Sequence, residues 1–126
     1  MEYIAYGGRV NTVDPAATAV PRAALLKTFY MVAWSDPGED EEHLRWIREL
    51  YRDIHHATGG APAPDEVNTG AYINYPDIDL ADPEWNTSGV PWHTIYYGDN
   101  YPRLQEVKAK WDPRNVFRHA FSIRPR

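Results

Sequence analysis

The segment from Tyr72 to Leu80, YINYPDIDL, holds the side chains of this chain that are best suited to acid–base chemistry. If the segment is a strand, its side chains alternate between two faces, and Tyr72 and Asn74 share one of them. Tyr75 and Asp77 then share the other face, where a phenol lies beside a carboxylate. A tyrosine acts as a general base when hydrogen bonds or positive charge stabilise its phenolate. The same spacing fits a core tyrosine with a hydrogen-bonded hydroxyl, so spacing alone leaves both interpretations open.

The five histidines form no metal or catalytic motif. His55 and His56 are adjacent at the end of a predicted helix, where neighbouring side chains point in different directions. We therefore expect them to cap the helix rather than to bind a metal. The other histidines lack the HExxH spacing of a zinc site; they are His43, His93 and His119. The glycine-rich patterns that bind phosphates are also absent, and no metal site is predicted.

The amino-acid composition restricts the kinds of molecule that this chain is expected to bind. Thirteen Lys and Arg residues against eighteen Asp and Glu residues give a formal charge of -5, which opposes binding to nucleic acid. The absence of cysteine excludes disulfides, thiolate catalysis and a flavin bond through sulfur within this chain. The N-terminal residues do not resemble a signal peptide, and no apolar run approaches the length of a membrane span. We expect a soluble, cytoplasmic protein without membrane contact.

Apolar and aromatic runs bounded by Gly and Pro predict the strands. The first lies within Tyr3 to Val10 and is closed by Gly7-Gly8. The second lies within Pro21 to Trp34, whose run LLKTFYMVAW is typical of a strand buried on at least one face. The segment GAYINYP at 70–76 predicts a third, and the tail NVFRHAFSI predicts a short fourth strand.

Two amphipathic helices and one helical turn are predicted beside these strands. Asp36 is suited to cap a helix that starts at Pro37, continues through an acidic first turn and ends at Gly59-Gly60. A turn of helix is expected near Trp92 to Tyr97, and a last helix runs from Pro102 to the stop signal Asp112-Pro113. The pattern indicates an α+β fold in which helices pack on one face of an antiparallel sheet, as a single domain over residues 1–126.

Several segments in a fixed order carry a family resemblance. They are NYPDID at 74–79, YYGDNYPRL at 96–104, VK at 107–108, WDPRNVF at 111–117 and Ser122-Ile123, with Gly7-Gly8, TAVPR at 18–22 and Trp34 upstream. Together they resemble the C-terminal signature of the berberine-bridge-enzyme-like FAD-linked oxidases. The resemblance extends over essentially the whole chain and implies a partial substrate domain of that family.

The resemblance implies FAD as the cofactor and a small molecule as the substrate. It covers only the C-terminal quarter of such an enzyme, so the FAD-binding domain is expected to be absent. FAD would then bind only with a partner chain or a missing domain, and this chain alone is expected to hold none. Without that domain, the apolar surface of Trp111, Phe117 and Phe121 would be exposed. This predicts a homo-oligomer or an FAD-binding partner polypeptide.

The resemblance also assigns catalytic and cofactor residues. Tyr75 matches the tyrosine that removes a substrate hydroxyl proton as hydride passes to the flavin. Asn74 lies beside it and would face the flavin or order the site. A second tyrosine assists in the enzymes that oxidise anthracycline sugars, and Tyr3 or Tyr6 is the candidate for it.

Three further residues are expected to contact the substrate: Lys27, Tyr30 and Tyr72. The plant relatives place a glutamate near the position of Lys27, so this sequence departs from them there. If Lys27 points into the site, its ammonium would stabilise the Tyr75 phenolate. A lysine on the solvent face of a strand is the alternative.

Two hypotheses follow for the function. In the first, the chain is part of an FAD-dependent oxidoreductase that oxidises a hydroxyl of a sugar or secondary metabolite, with Tyr75 as general base. In the second, it is a free-standing remnant without FAD that binds a polycyclic natural product or catalyses a cofactor-free cyclisation or dehydration. The tyrosine-rich segments fit both.

Overall fold

A computed structural model describes all 126 residues as an α+β arrangement, which confirms the expected fold class. Strands β1 (Glu2–Ala5) and β2 (Leu26–Phe29) form a two-stranded antiparallel ribbon. Three helices follow: α1 (Asp40–Ile54), α2 (Trp92–Tyr97) and α3 (Tyr101–Trp111). None of them has the length and apolar composition needed to cross a bilayer.

The core is an aromatic cluster around α2 and α3. All 12 buried residues lie between Gly60 and Phe121, and none comes from the ribbon or from α1. Phe121 returns to pack edge-on against the Trp92 ring with 4.9 Å between centroids, and His93 stacks on Tyr101 at 4.2 Å. Seven buried side chains form the cluster: Ala61, Leu80, Ile95, Tyr96, Tyr97, Tyr101 and Phe121.

Helix α1 begins as its sequence predicts. The Asp36 carboxylate accepts the Gly38 N–H at 2.8 Å, and one 3₁₀ turn at Pro37–Glu39 leads into the helix. α1 itself ends at Ile54, ahead of the predicted Gly59-Gly60, because the chain tightens there into another 3₁₀ turn. Gly59 then closes the helical segment with a positive φ of 78°.

The predicted first and second strands are both shorter than expected. The first stops at Ala5, and a 3₁₀ helix over Gly8–Thr12 replaces its second half, starting at the positive φ of Gly8. The second keeps only the four residues of β2, because the ribbon offers only one neighbouring strand to pair with. Leu25 and Met31 beside it are 75% and 67% exposed, so the expected burial of this strand is wrong.

The predicted third and fourth strands do not form. In the segment 70–76 the Tyr75 N–H donates to the Tyr72 carbonyl at 3.0 Å, which makes a turn instead of a strand. In the tail, the N–H groups of Val116 and Phe117 donate to the Asp112 carboxylate at 2.8 and 3.0 Å rather than to a neighbouring strand. Phe121 is buried, which corrects the expectation that it lies on an uncovered surface.

Candidate active-site groove

An open groove of about 1240 Å³ lies between the ribbon, α1 and the segment that leads to Asp79. This volume exceeds the roughly 300–1,000 Å³ of common ligand pockets, so it accommodates a substrate larger than a single sugar ring. Every residue that the sequence nominated for the site lines the groove except Tyr3; those that do are Tyr6, Lys27, Tyr30, Tyr72, Asn74 and Tyr75.

The turn at residues 72–75 brings two tyrosines to the same side of the chain. Because the first and fourth residues of a turn approach each other, the rings of Tyr72 and Tyr75 lie 5.8 Å apart between centroids. The predicted alternation, which placed them on opposite faces, is therefore wrong. Tyr75 is 52% exposed and packs against the Phe29 ring at 4.8 Å. This exposure excludes the interpretation of Tyr75 as a core tyrosine.

Lys27 points into the groove rather than to open solvent. Strand alternation places Lys27 and Phe29 on the same face of β2, toward the turn. The Lys27 Nζ lies 3.9 Å from the centroid of the Tyr72 ring and 4.5 Å from that of Tyr75. Each contact of this kind stabilises by about 0.5–2 kcal/mol, depending on how far it is desolvated. The ammonium is thus held over the faces of both tyrosine rings in the groove.

Tyr3 and Tyr6 occupy different environments. Tyr3 is opposite Thr28 in the ribbon, whereas Ile4 is opposite Lys27, so Tyr3 projects from the face that is turned away from Lys27. It is 61% exposed. Tyr6 lines the groove, and its hydroxyl donates to the Pro21 carbonyl at 3.0 Å. Only Tyr6 of the two candidates therefore shares the groove with Tyr75.

Asn74 projects from the same turn and is exposed. Its side-chain nitrogen donates to the Tyr72 hydroxyl oxygen at 2.5 Å, and its amide oxygen has no protein partner. This bond orients the Tyr72 hydroxyl next to the turn. The free amide oxygen can accept a hydrogen bond from a ligand in the groove.

The other wall of the groove is aromatic and uncharged. The Tyr30 ring meets Tyr51 of α1 edge-on at 5.3 Å and lies 6.4 Å from the His55 ring. Burial raises the pKa of Tyr30 and, more strongly, that of Tyr51, while burial lowers the pKa of His55. At neutral pH all three side chains are neutral, which suits contact with an apolar or aromatic part of a ligand.

Sequence reasoning missed the residues that anchor the turn. Arg48 of α1 was not among the nominated residues, but its guanidinium makes a paired hydrogen bond with the Asp79 carboxylate. Tyr96 accepts the Asp77 N–H on its hydroxyl oxygen at 2.8 Å, and burial raises the pKa of Tyr96 to about 12. Burial and the neighbouring Asp79 carboxylate raise the pKa of Asp77. The Asp-x-Asp spacing after the turn was the available signal, because carboxylates so placed often bond nearby backbone N–H groups.

Comparisons with known proteins show which sequences and structures this chain resembles. Residues 71–124 match the family model described as berberine and berberine like. The chain is 58% identical over 121 residues to aclacinomycin-N/aclacinomycin-A oxidase of Streptomyces galilaeus, a match that covers 95% of this chain and 22% of that protein.

Solved structures show the same similarity in three dimensions. CrmK, a flavoenzyme involved in shunt product recycling in caerulomycin biosynthesis, is 91% identical with a TM-score of 0.95, over 98% of this chain and 25% of CrmK. The glycopeptide hexose oxidase DBV29, solved with teicoplanin, is 62% identical with a TM-score of 0.94 over the same shares. The chain therefore spans about a quarter, or slightly less, of the length of these relatives.

The groove does not supply the charges that a dinucleotide requires. The lysine and arginine side chains that line it are Lys27 and Arg48. Lys27 is engaged with two tyrosine rings and Arg48 with Asp79, so neither is available to neutralise a diphosphate. The residues present fit a substrate and the reacting end of a cofactor, but they do not fit the diphosphate of FAD.

Proposed function

Because this chain corresponds to a C-terminal part of the berberine-bridge-enzyme-like FAD-linked oxidases, we propose that it forms the substrate side of an active site that oxidises a hydroxyl group of a sugar or secondary metabolite. The single observation that carries this proposal is the placement of an exposed Tyr75 beside Lys27 in a large open groove. The relatives named above include an aclacinomycin oxidase and a glycopeptide hexose oxidase.

Tyr75 is the proposed general base. Its phenolate accepts the proton of the substrate hydroxyl. The hydrogen on the carbon that bears this hydroxyl leaves as hydride, so that the alcohol becomes a carbonyl. FAD, when bound, would supply the hydride acceptor. Lys27 stabilises the phenolate before the reaction, and Asn74 offers its amide oxygen to a substrate hydroxyl or to the cofactor ring.

Tyr6, Tyr30 and Tyr72 are proposed to position the substrate. Tyr72 lies under the same ammonium as Tyr75, and Tyr30 provides the apolar wall with Tyr51. Tyr6 takes the role of the second tyrosine, because it lines the groove while Tyr3 projects away from it. The size of the groove favours a substrate that carries a polycyclic or glycosylated group.

The test is the oxidation rate of the flavin-containing protein with Tyr75→Phe. Loss of a general base lowers the rate by about 10²–10⁴, and an exposed hydroxyl contributes little to the fold. Tyr3→Phe is the matched control, and its rate is expected to equal that of the wild type. An unchanged rate in Tyr75→Phe contradicts the proposed base.

The size and the aromatic wall of the groove also fit a second candidate, in which the chain binds a polycyclic natural product without FAD. The two candidates differ in their absorbance spectra. The FAD-dependent candidate predicts that the chain purified alone is colourless and that a flavin band, near roughly 450 nm for this cofactor class, appears only with an FAD-binding partner. A chain that binds the natural product and never acquires flavin with any partner supports the second candidate.

A further inference from the structure

The turn that carries Tyr72 and Tyr75 is followed at once by an ion pair whose carboxylate, that of Asp79, is buried while its arginine remains partly exposed. The two Asp79 carboxylate oxygens accept N–H groups from Nε and Nη2 of Arg48, each at 2.6 Å. Asp79 is 8% exposed, and Arg48 is its only cationic partner. Because a buried carboxylate without a partner is strongly disfavoured, this pair fixes the position of Asp79 relative to α1.

Short links connect Asp79 to the turn. The Asp79 N–H donates to the Asp77 carboxylate at 3.0 Å, and the Asp77 N–H donates to the buried Tyr96 hydroxyl oxygen at 2.8 Å. Pro76, whose φ is restricted by its ring, joins Asp77 to Tyr75. Few free dihedral angles therefore separate the ion pair from the tyrosine.

The Arg48 guanidinium is also held from a second side. Its Cζ lies 4.3 Å from the centroid of the Trp85 ring, and Arg52 contacts the same ring at 4.9 Å. Arg52 has no carboxylate partner. Both arginines therefore contact the Trp85 ring, but only Arg48 also bonds to Asp79. A lysine at position 48 can neither form the paired hydrogen bond nor stack as a plane.

We propose that Arg48 is a positioning residue, which acts through Asp79 to hold the 72–75 turn so that Tyr72 and Tyr75 meet the Lys27 ammonium. This inference deepens the proposed function and rests on it for the meaning of Tyr75 as a base. The position of the turn itself can be measured without an activity assay.

The test is the NMR shift of the Lys27 ε-methylene protons, because a ring face at this distance moves them upfield. The wild type is expected to show this ring-current shift. Arg48→Lys and Asp79→Asn are each expected to lose most of it and to remain folded by circular dichroism. Arg52→Lys, the matched control, is expected to keep it, although it removes an equivalent contact with Trp85.

Two other outcomes overturn the inference. A folded Arg48→Lys protein with the wild-type shift shows that Asp79 does not need Arg48 to place the turn. Global unfolding of both Arg48→Lys and Asp79→Asn assigns the pair to stability of the whole domain and likewise contradicts a positioning role. If Tyr75→Phe keeps full activity while the shifts behave as expected, the proposed base fails and the positioning role stands.

Discussion

The two halves of the chain hold their shape in different ways. Residues 60–126 contain all 12 buried residues and surround α2 and α3 with aromatic contacts. Residues 1–59 contain no fully buried residue, although α1 is strongly amphipathic and the run LLKTFYMVAW that includes β2 is mostly apolar. The groove lies where the halves meet, with Lys27 supplied by the first half and Tyr75 by the second. This difference shows that the proposed chemistry depends on a contact between a well-packed region and an open one.

Contacts at Arg48 and Gly70 relate the tyrosine turn to these two halves. Arg48 joins α1 to the packed region through Asp79. Gly70 lies directly against α2, where the Ala71 N–H donates to the Ile95 carbonyl at 3.0 Å. Gly70 thus sets the tyrosine turn against the packed region, while Arg48 of the open half holds it through Asp79.

The largest expected effect on stability contrasts one side chain from each half. Ile95 is 0% exposed in the core, and Ile95→Ala is expected to lower the free energy of unfolding by about 2–5 kcal/mol. Leu44 is 50% exposed on α1, and Leu44→Ala is expected to cost no more than about 1 kcal/mol. Urea unfolding followed by tryptophan fluorescence measures both. Equal losses would mean that the open half is as well packed in solution as the core.

A smaller effect is expected at the glycine that seats the turn. Gly70 has a φ of 104°, and a Cβ there would lie 2.2 Å from the Ile95 carbonyl oxygen. Gly70→Ala is therefore expected to lower the free energy of unfolding by more than about 1 kcal/mol. Gly89→Ala is the control, because Gly89 also has a positive φ, of 76°, but has open space around it. The same loss in both variants would show that backbone strain alone, and not the contact with α2, is responsible.

Self-association tests whether another copy of the chain covers its exposed apolar residues, and its expected effect is smaller than those above. Trp111 and Phe117 are 77% and 79% exposed beyond the core, and large exposed apolar patches often mark protein–protein interfaces. We expect the chain to associate at micromolar concentration in light scattering. The double variant Trp111→Glu/Phe117→Glu is expected to reduce that association. A strictly monomeric wild type at that concentration would contradict this prediction.

The smallest expected effect is on the pH dependence of stability, where two aspartates act in opposite directions. The bond from Lys108, with backbone N–H groups, lowers the pKa of Asp112 below 3.8. Its stabilisation is present above pH 3.8 and is lost as the pH falls through the lowered folded-state pKa. Burial raises the pKa of Asp77 above 3.8, so its stabilisation is present below pH 3.8 and is lost as the pH rises through the raised value.

Thermal unfolding across pH separates these two contributions. Asp112→Asn is expected to flatten the loss of stability below pH 3.8. Asp77→Asn, whose amide oxygen can still accept the Asp79 N–H, is expected to flatten the decline that begins above pH 3.8. If the two variants show the same change in the same pH range, the opposite pKa shifts are wrong.

The sequence predicted the helices better than the strands. A cap at Asp36 and a stop signal at Asp112-Pro113 are local, and α1 and α3 follow them closely. Strands depend on partners that no local pattern reveals, so apolar runs at 21–34 and 70–76 predicted more strand than the ribbon can pair. The turn at Tyr72 was missed because β-branched and aromatic residues resemble a strand when only their spacing is considered.

The sequence predicted which residues belong to the candidate site but not how they are arranged. Family resemblance nominated Tyr75, Lys27 and Asn74, and the structure brings all three to the groove. Their geometry was beyond prediction, because it depends on Arg48, which is 31 residues from Asp79 in sequence. A long-range ion pair leaves no periodic signal, and a charged residue on a helix face is usually solvated.

The most direct test of the central claim is a double-mutant cycle between Lys27 and Tyr75, measured as the rate at which substrate reduces the flavin of the complete enzyme without oxygen. If Lys27 acts by stabilising the Tyr75 phenolate, Lys27→Met slows reduction in the wild-type background by roughly 10-fold or more, a coupling of about 1.4 kcal/mol. It then causes no further loss once Tyr75→Phe is present. The same slowing in both backgrounds would show that the two residues act independently and would contradict the proposed pairing of ammonium and base.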